Sequence, residues 1–284
     1  MELVLKIREM FMFLLLMITL VTAPNVASTE TAELVGSNPF IMEQALVMGQ
    51  GITTDGEYYY TSGTVTAFDV TAIAKYTVDG MDLVDKNVNP LPAVCKDRGN
   101  NHIGGISYYN GKIYAPVEGG DEVAACIVVF DAETLEATGE VYDLSATDFS
   151  TGVPWCAVDK ETGYLYASVW QQTKKIHIFD VNDGMKQVGT LDLDTPIKRI
   201  QGAEFYNGTL YLSHDSRDKG VIRNILSVDV ETGKVSLVAE RNVGAEKVEA
   251  EGMTFTEGED GPILHVLDYN RTIGIFVHHY KIDI

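Results

Sequence analysis

Short runs of alternating apolar and polar residues recur along the chain, each introduced by a turn glycine. The runs are Gly56-Glu57-Tyr58-Tyr59-Tyr60, Gly111-Lys112-Ile113-Tyr114, Gly163-Tyr164-Leu165-Tyr166, Gly208-Thr209-Leu210-Tyr211 and Gly261-Pro262-Ile263-Leu264. Their glycines lie 55, 52, 45 and 53 residues apart. Alternation at period two marks strands with one buried face. A period near 50 built from short strands and polar turns predicts the four-stranded blades of a β-propeller.

Each repeat reads as four strands, a to d, from the axis outward. In the second, Gly105 to Tyr109 is strand a, Lys112 to Val117 strand b, Cys126 to Phe130 strand c and Gly139 to Asp143 strand d. Asn110-Gly111, Asn207-Gly208 and Asp55-Gly56 suit two-residue hairpins, whose central residues take positive φ. Alternation along strand b puts Tyr59, Tyr114, Tyr166, Tyr211 and Leu264 in one column, expected to pack between blades. The fifth repeat supplies only three strands: Glu251 to Phe255, Ile263 to Leu267 and Ile273 to Tyr280. Ala32 to Val47 is left over and is expected to provide the missing outer strand. The fold class is therefore all-β, a five-bladed propeller closed by an N-terminal strand that completes the last blade.

Ahead of the repeats, Lys6 and Arg8 precede an apolar run from Met10 to Val21 broken only by Thr19. Pro24 and the small residues Val26-Ala27-Ser28 follow. This is the layout of a signal peptide spanning residues 1–27, with cleavage after Ala27. The run of 12 residues is too short for an ordinary membrane span. Residues 28–284 then form a single propeller domain. Its expected location is secreted, extracellular or periplasmic, with no membrane insertion after cleavage, and a monomer is expected. Two sequons, at Asn207 and Asn270, fall in turns and mark a glycoprotein if the host glycosylates exported chains.

The net charge of −20 disfavours nucleic acid, because a strongly acidic surface repels phosphate backbones. The three cysteines are Cys95, Cys126 and Cys156. An odd count in an exported chain allows one disulfide. Cys95–Cys126 is the expected pair, with Cys156 free and buried.

Sites on propellers usually form where the loops entering strand a and leaving strand b gather. Aligning the repeats gives Gln50, Gly104, Trp155, Gln201 and Glu251 at the strand-a entrance. Gly51, Gly105, Cys156, Gly202 and Gly252 come next. Gly63, Glu118, Trp170, Asp215 and Asp268 end strand b. Packing columns stay uniform from blade to blade; the entrance and exit columns do not. His102, His214 and Glu249 adjoin them. The expected catalytic pair is His102 and Glu251, since a histidine near a carboxylate suits general acid–base work. Gln50, Trp155, Trp170, Gln201 and His214 are the expected ligand-binding residues. Glu118, Asp215 and Asp268 are the expected metal ligands. Oxygen donors favour Ca²⁺, with Zn²⁺ behind it and dependent on the histidines. The expected partner is a small molecule, glycan or protein held on this face. Cys156 replaces a glycine kept by the other blades and is expected to pack, although a thiol there could serve as a nucleophile.

Leu165-Tyr166-Ala167-Ser168 followed by Ile176-His177-Ile178-Phe179-Asp180 resembles strands b and c of exported propellers with surface-layer-type or gluconolactonase-like blades. A shorter stretch is similar to five-bladed glutaminyl cyclotransferases. Gln50-Gly51-Ile52 with Tyr60-Thr61-Ser62-Gly63 resembles their first blade, and Tyr166-Ala167-Ser168-Val169-Trp170 resembles their Tyr-Ala-Asn-Val-Trp. Their second-blade Gly-Glu-Gly is here Ile103-Gly104-Gly105. The resemblances imply five blades. They also imply, as the alternative to a binding module, a metal-assisted hydrolase or lactonase, or a cyclotransferase, acting on the same face.

Overall fold

The structure is a computed structural model that describes residues 26–39, 49–65, 68–120, 123–216, 222–243, 248–270 and 274–284. Most of the expected signal peptide lies outside the described residues. So do residues 40–47 of the segment expected to close the ring.

The N-terminal strands are β1 (Val26–Ala27) and β2 (Glu33–Pro39). Blade 1 is β3 (Gly51–Thr54), β4 (Tyr58–Val65), β5 (Val70–Thr77) and β6 (Leu83–Val88). A short helix, α1 (Ala93–Arg98), leads to blade 2: β7 (Asn100–Ile103), β8 (Ser107–Tyr109), β9 (Lys112–Gly119), β10 (Cys126–Asp131) and β11 (Ala137–Asp143). Blade 3 is β12 (Trp155–Asp159), β13 (Tyr164–Ser168), β14 (Thr173–Asp180) and β15 (Lys186–Ile197). Blade 4 is β16 (Ile200–Tyr206), β17 (Thr209–Ser216), β18 (Ile222–Val228) and β19 (Val235–Val243). Blade 5 is β20 (Val248–Gly258), β21 (Gly261–Asn270) and β22 (Gly274–Lys281), with β2 as its outer strand. The protein is thus a five-bladed β-propeller.

Closure is by β2, antiparallel to β22 from Glu33↔Lys281 to Pro39↔Phe276. Side chains reinforce this ladder. Ser37 Oγ meets His278 Nδ1 at 2.7 Å, and Asn38 Oδ1 meets His279 Nε2 at 2.9 Å. The neighbouring histidines reach different partners because successive side chains leave a strand on opposite faces. Val26 and Ala27, immediately before the expected cleavage point, pair with Val243 and Asn242 at the edge of blade 4.

The tyrosine column is buried: Tyr59, Tyr114, Tyr166 and Tyr211 are at most 7% exposed, and Leu264 is 0% exposed. The turn chemistry divides. Asn110-Gly111 and Asn207-Gly208 have positive φ at both residues, as type I′ hairpins require. Asp55-Gly56 differs, with only Gly56 in that region. Asp55 Oδ1 instead accepts the backbone N–H groups of Glu57 and Tyr58, a side-chain substitute for the turn.

Strand a of blade 2, expected over Gly105 to Tyr109, is found as β8, and an additional strand, β7, precedes it across Gly104 and Gly105. A Cβ at position 104 would fall 2.3 Å from the Pro154 carbonyl oxygen. The inner strands converge so closely here that only glycine fits. A Cβ at Gly202 would likewise lie 2.6 Å from Gly252 Cα. Cys156, the one non-glycine in that ring, is 0% exposed and packs among Val153, Val158 and Leu165. Its thiol donates to the Tyr114 carbonyl at 3.3 Å. Burial pushes its pKa well up, which makes it a poor nucleophile. Cys95 and Cys126 stand as thiols with sulfurs 3.9 Å apart.

Candidate functional site

Backbone hydrogen bonds tie the inner strands of blades 5 and 1, and of blades 2 and 3, together at one end of the axis. Gly252 N–H donates to Gln50 O at 2.9 Å, Gly105 N–H to Pro154 O at 2.7 Å and Cys156 N–H to Gly105 O at 3.1 Å. The Gln201 carbonyl lies 3.1 Å from where a Cβ would stand on Gly105, two blades away. The strand-a entrances therefore meet around the axis. Gln50, His102, Glu118, Trp170, Gln201, His214 and Glu249 are half-buried there, whereas Trp155, Asp215, Glu251 and Asp268 are buried.

The residues fall into two groups. On the blade 1–2 side, His102 Nε2 meets Gln50 Oε1 at 3.1 Å. His102 also lies opposite Glu118 in the β7–β9 ladder. Burial lowers the His102 pKa, so the ring favours its neutral form. Burial raises Glu118 to about 7, against the opposing hydrogen bond from Val153 N–H.

On the blade 3–5 side, the organiser is Arg199, in the link before β16. Its φ is +54°, a left-handed conformation uncommon for a residue with a Cβ. Arg199 Nε donates to Asp215 Oδ1 at 2.6 Å, and Nη2 donates to Asp215 Oδ2 at 3.2 Å and Glu249 Oε1 at 3.3 Å. Its N–H donates to Trp170 O at 2.9 Å. Its guanidinium also covers the Trp170 ring, 4.6 Å from the centroid, a favourable cation–π geometry. One side chain thus joins blades 3, 4 and 5.

Asp268 has its own arginine. Arg241 binds it through both terminal nitrogens at 2.8 and 3.0 Å, with both side chains 0% exposed. Glu251 has no such partner: no described residue hydrogen-bonds to its carboxyl. Burial first, then repulsion from Glu249 and Asp215, raises its pKa well above the ordinary carboxylate range, and Arg199 only partly offsets this. Trp170 Nε1 and His214 Nδ1 are buried without a hydrogen-bond partner among the described residues.

The three expected metal ligands are not brought together. Asp215 and Asp268 are each ion-paired with an arginine, and Glu118 sits in blade 2 against Val153. Among the described residues, no group of three metal-ligating side chains converges. The charges that offset Asp215 and Asp268 are guanidinium groups. Trp155, expected as a ligand-binding residue, is packed among Ile176, Ile200 and Leu212 in the core between blades 3 and 4.

Sequence reasoning missed Arg199 and Arg241, which fall outside the repeat columns. It also missed Glu204, whose signal was available: in the inner-strand column Thr53, Ser107, Val158, Glu204 and Thr254 it is the one charged residue. Glu204 is 2% exposed. Its Oε2 accepts hydrogen bonds from Thr53 and Thr254, and Oε1 has no partner.

A scan of protein-family models and a search of curated proteins give no match. Solved structures do share the architecture. The Staphylococcus aureus phage P68 tail fibre matches 88% of this chain with a TM-score of 0.55 and 14% identity. The GH43_1 enzyme from Xanthomonas citri, complexed with xylose, matches 87% of this chain and 89% of its own, with a TM-score of 0.55 and 14% identity. The Kuenenia stuttgartiensis hydrazine synthase matches with a TM-score of 0.46 and 12% identity. The chain spans 52% of the tail-fibre chain and 57% of the hydrazine synthase chain. At such identities the likeness shows the propeller fold and nothing finer.

Proposed function

We propose that this protein is an exported binding module that holds a small polyhydroxylated molecule, such as a saccharide, on the face around Trp170, Arg199 and Glu251. The observation behind this reading is the set of unmatched polar groups gathered about Arg199. Among the described residues, Trp170 offers an indole N–H and His214 a ring nitrogen, each buried without a hydrogen-bond partner, beside the buried Glu251 carboxyl, whose pKa is raised well above the ordinary range. Buried polar groups are nearly always satisfied, so such a set calls for an outside partner. The set mixes donors and acceptors beside an aromatic ring, which suits a ligand bearing many hydroxyl groups. Gln50, His102 and Gln201 extend the polar rim. Export rests on the N-terminal segment, whose layout is that of a signal peptide.

A second reading has a specific observation in its favour. A carboxyl held protonated beside other carboxylates is the arrangement of a general acid. Glu251 fits that role, so a hydrolase acting on the same ligand class is the enzymatic alternative. The xylose bound to the Xanthomonas citri enzyme is consistent with such a ligand class, by analogy of fold alone.

The test is a thermal-shift screen of the mature chain against mono- and oligosaccharides, with hydrolysis followed in parallel. Stabilisation by a saccharide that Trp170→Ala abolishes supports the reading. Turnover lost in Glu251→Gln selects its enzymatic form. A panel without stabilisation or turnover contradicts both.

A further inference from the structure

Blade 2 holds two thiols in contact. Cys95 lies in α1 and Cys126 opens β10; their sulfurs are 3.9 Å apart and both residues are 0% exposed. They share a core cluster with Leu91, Ile103 and Val117. Cys156 belongs to a separate cluster farther round the ring. A disulfide needs sulfurs about 2.05 Å apart, so less than 2 Å of approach is required. The two thiols sit on unlike supports. Cys126 is in a strand paired on both sides, with β9 and β11. Cys95 is in a six-residue helix that ends at Gly99 with φ +86°. The helix is therefore the side that moves.

We propose that Cys95 and Cys126 form a redox pair that closes to an intramolecular disulfide, with a small-molecule disulfide such as oxidised glutathione as electron acceptor. Cys95 is the first nucleophile. It lies in α1, the side that moves, three residues from Arg98, whose positive charge favours the thiolate. Its thiolate attacks one sulfur of oxidised glutathione, and the first glutathione thiolate leaves. The Cys126 thiol then loses its proton to solvent and attacks the Cys95 sulfur, expelling the second. Two protein thiols are oxidised and one glutathione disulfide is reduced to two thiols. Because both sulfurs are buried, the exchange takes place before blade 2 has sealed around them. Once formed, the bridge ties α1 to β10. Since α1 hands the chain directly to β7, it also fixes the approach to His102.

The experiment starts from the fully reduced chain, unfolded in urea and returned to buffer containing oxidised glutathione. A second sample keeps its native fold throughout the same treatment. Alkylation in denaturant, intact mass and peptide mapping then count the thiols. The expected product after refolding is lighter by two hydrogens and keeps one alkylatable thiol, at Cys156. Cys156→Ser should show the same mass loss, and Cys126→Ser should not. Three free thiols in both wild-type samples, or a bridge that includes Cys156, would overturn the proposal.

Discussion

Thr53 of blade 1 donates a hydrogen bond to Glu204 of blade 4, 3.0 Å away, although blade 5 stands between them in the ring. The contact therefore crosses the axis. Thr254 of blade 5 donates to the same oxygen at 3.3 Å. Burial raises the Glu204 pKa despite these bonds and the charge of Lys160. The folded state thus holds a proton that the unfolded chain releases in the mid-4s. The resulting stability is present below that range and is lost as pH rises through the folded pKa. Glu204→Gln should keep the threonine bonds without this dependence. Thermal melts from pH 4.5 to 8 should show the variant gaining on wild type as pH rises. A constant gap would contradict the assignment.

The closing strand should be acid-sensitive. His265 Nδ1 and His279 Nδ1 lie 2.6 Å apart, and His279 also binds Asn38 of β2. Burial, then the charge of His279, lowers His265 to about 3, and burial, then the charge of His278, lowers His279 to about 4. With folded pKa values below the ordinary 6.5, the stability is present above pH 6.5 and is lost as pH falls toward 4 and 3. Melting temperature should drop across that window, and His279→Gln should flatten the drop. Deleting residues 28–47 should give aggregated or poorly cooperative protein, because β22 would become an open edge. A soluble truncation with an unchanged melting temperature would count against closure by β2.

Arg241 and Asp268 should behave as one unit. Removing either leaves a buried charge, which typically costs about 3–5 kcal/mol. Arg241→Met should therefore be strongly destabilised in urea, and adding Asp268→Asn should recover much of the loss. Additive losses in the double variant would show that the pair is not coupled.

The packing column and the site should separate in mutagenesis. Tyr114→Ala should lose about 3 kcal/mol or more, as large aromatic truncations in cores do. Trp170→Ala and Glu251→Gln should retain cooperative unfolding. If Glu251→Gln unfolds the ring, the carboxyl is structural.

Features set by local pattern within the repeats were legible in the sequence. The tyrosine column, the Asn-Gly hairpins and the missing fifth outer strand each follow from local pattern, which the backbone obeys at every turn. Pairings between blades were not legible. Arg199 meets Asp215 and Glu249 only because three blades converge, and it does so from a left-handed backbone position that no motif announces. The arginines that pair with Asp215 and Asp268 lie outside the repeat columns, so the sequence shows these carboxylates without their counter-charges. α1 has no signature in the sequence, since six residues between Pro92 and Gly99 are too short to show helical periodicity.

The most direct test of the ligand site is a crystal structure of the mature chain soaked with the best-stabilising saccharide. The ligand should lie against Trp170, with a hydroxyl group bonded to the Glu251 carboxyl and another to the Trp170 indole N–H or His214. Saccharide density elsewhere on the ring, with these groups untouched, would contradict the assignment.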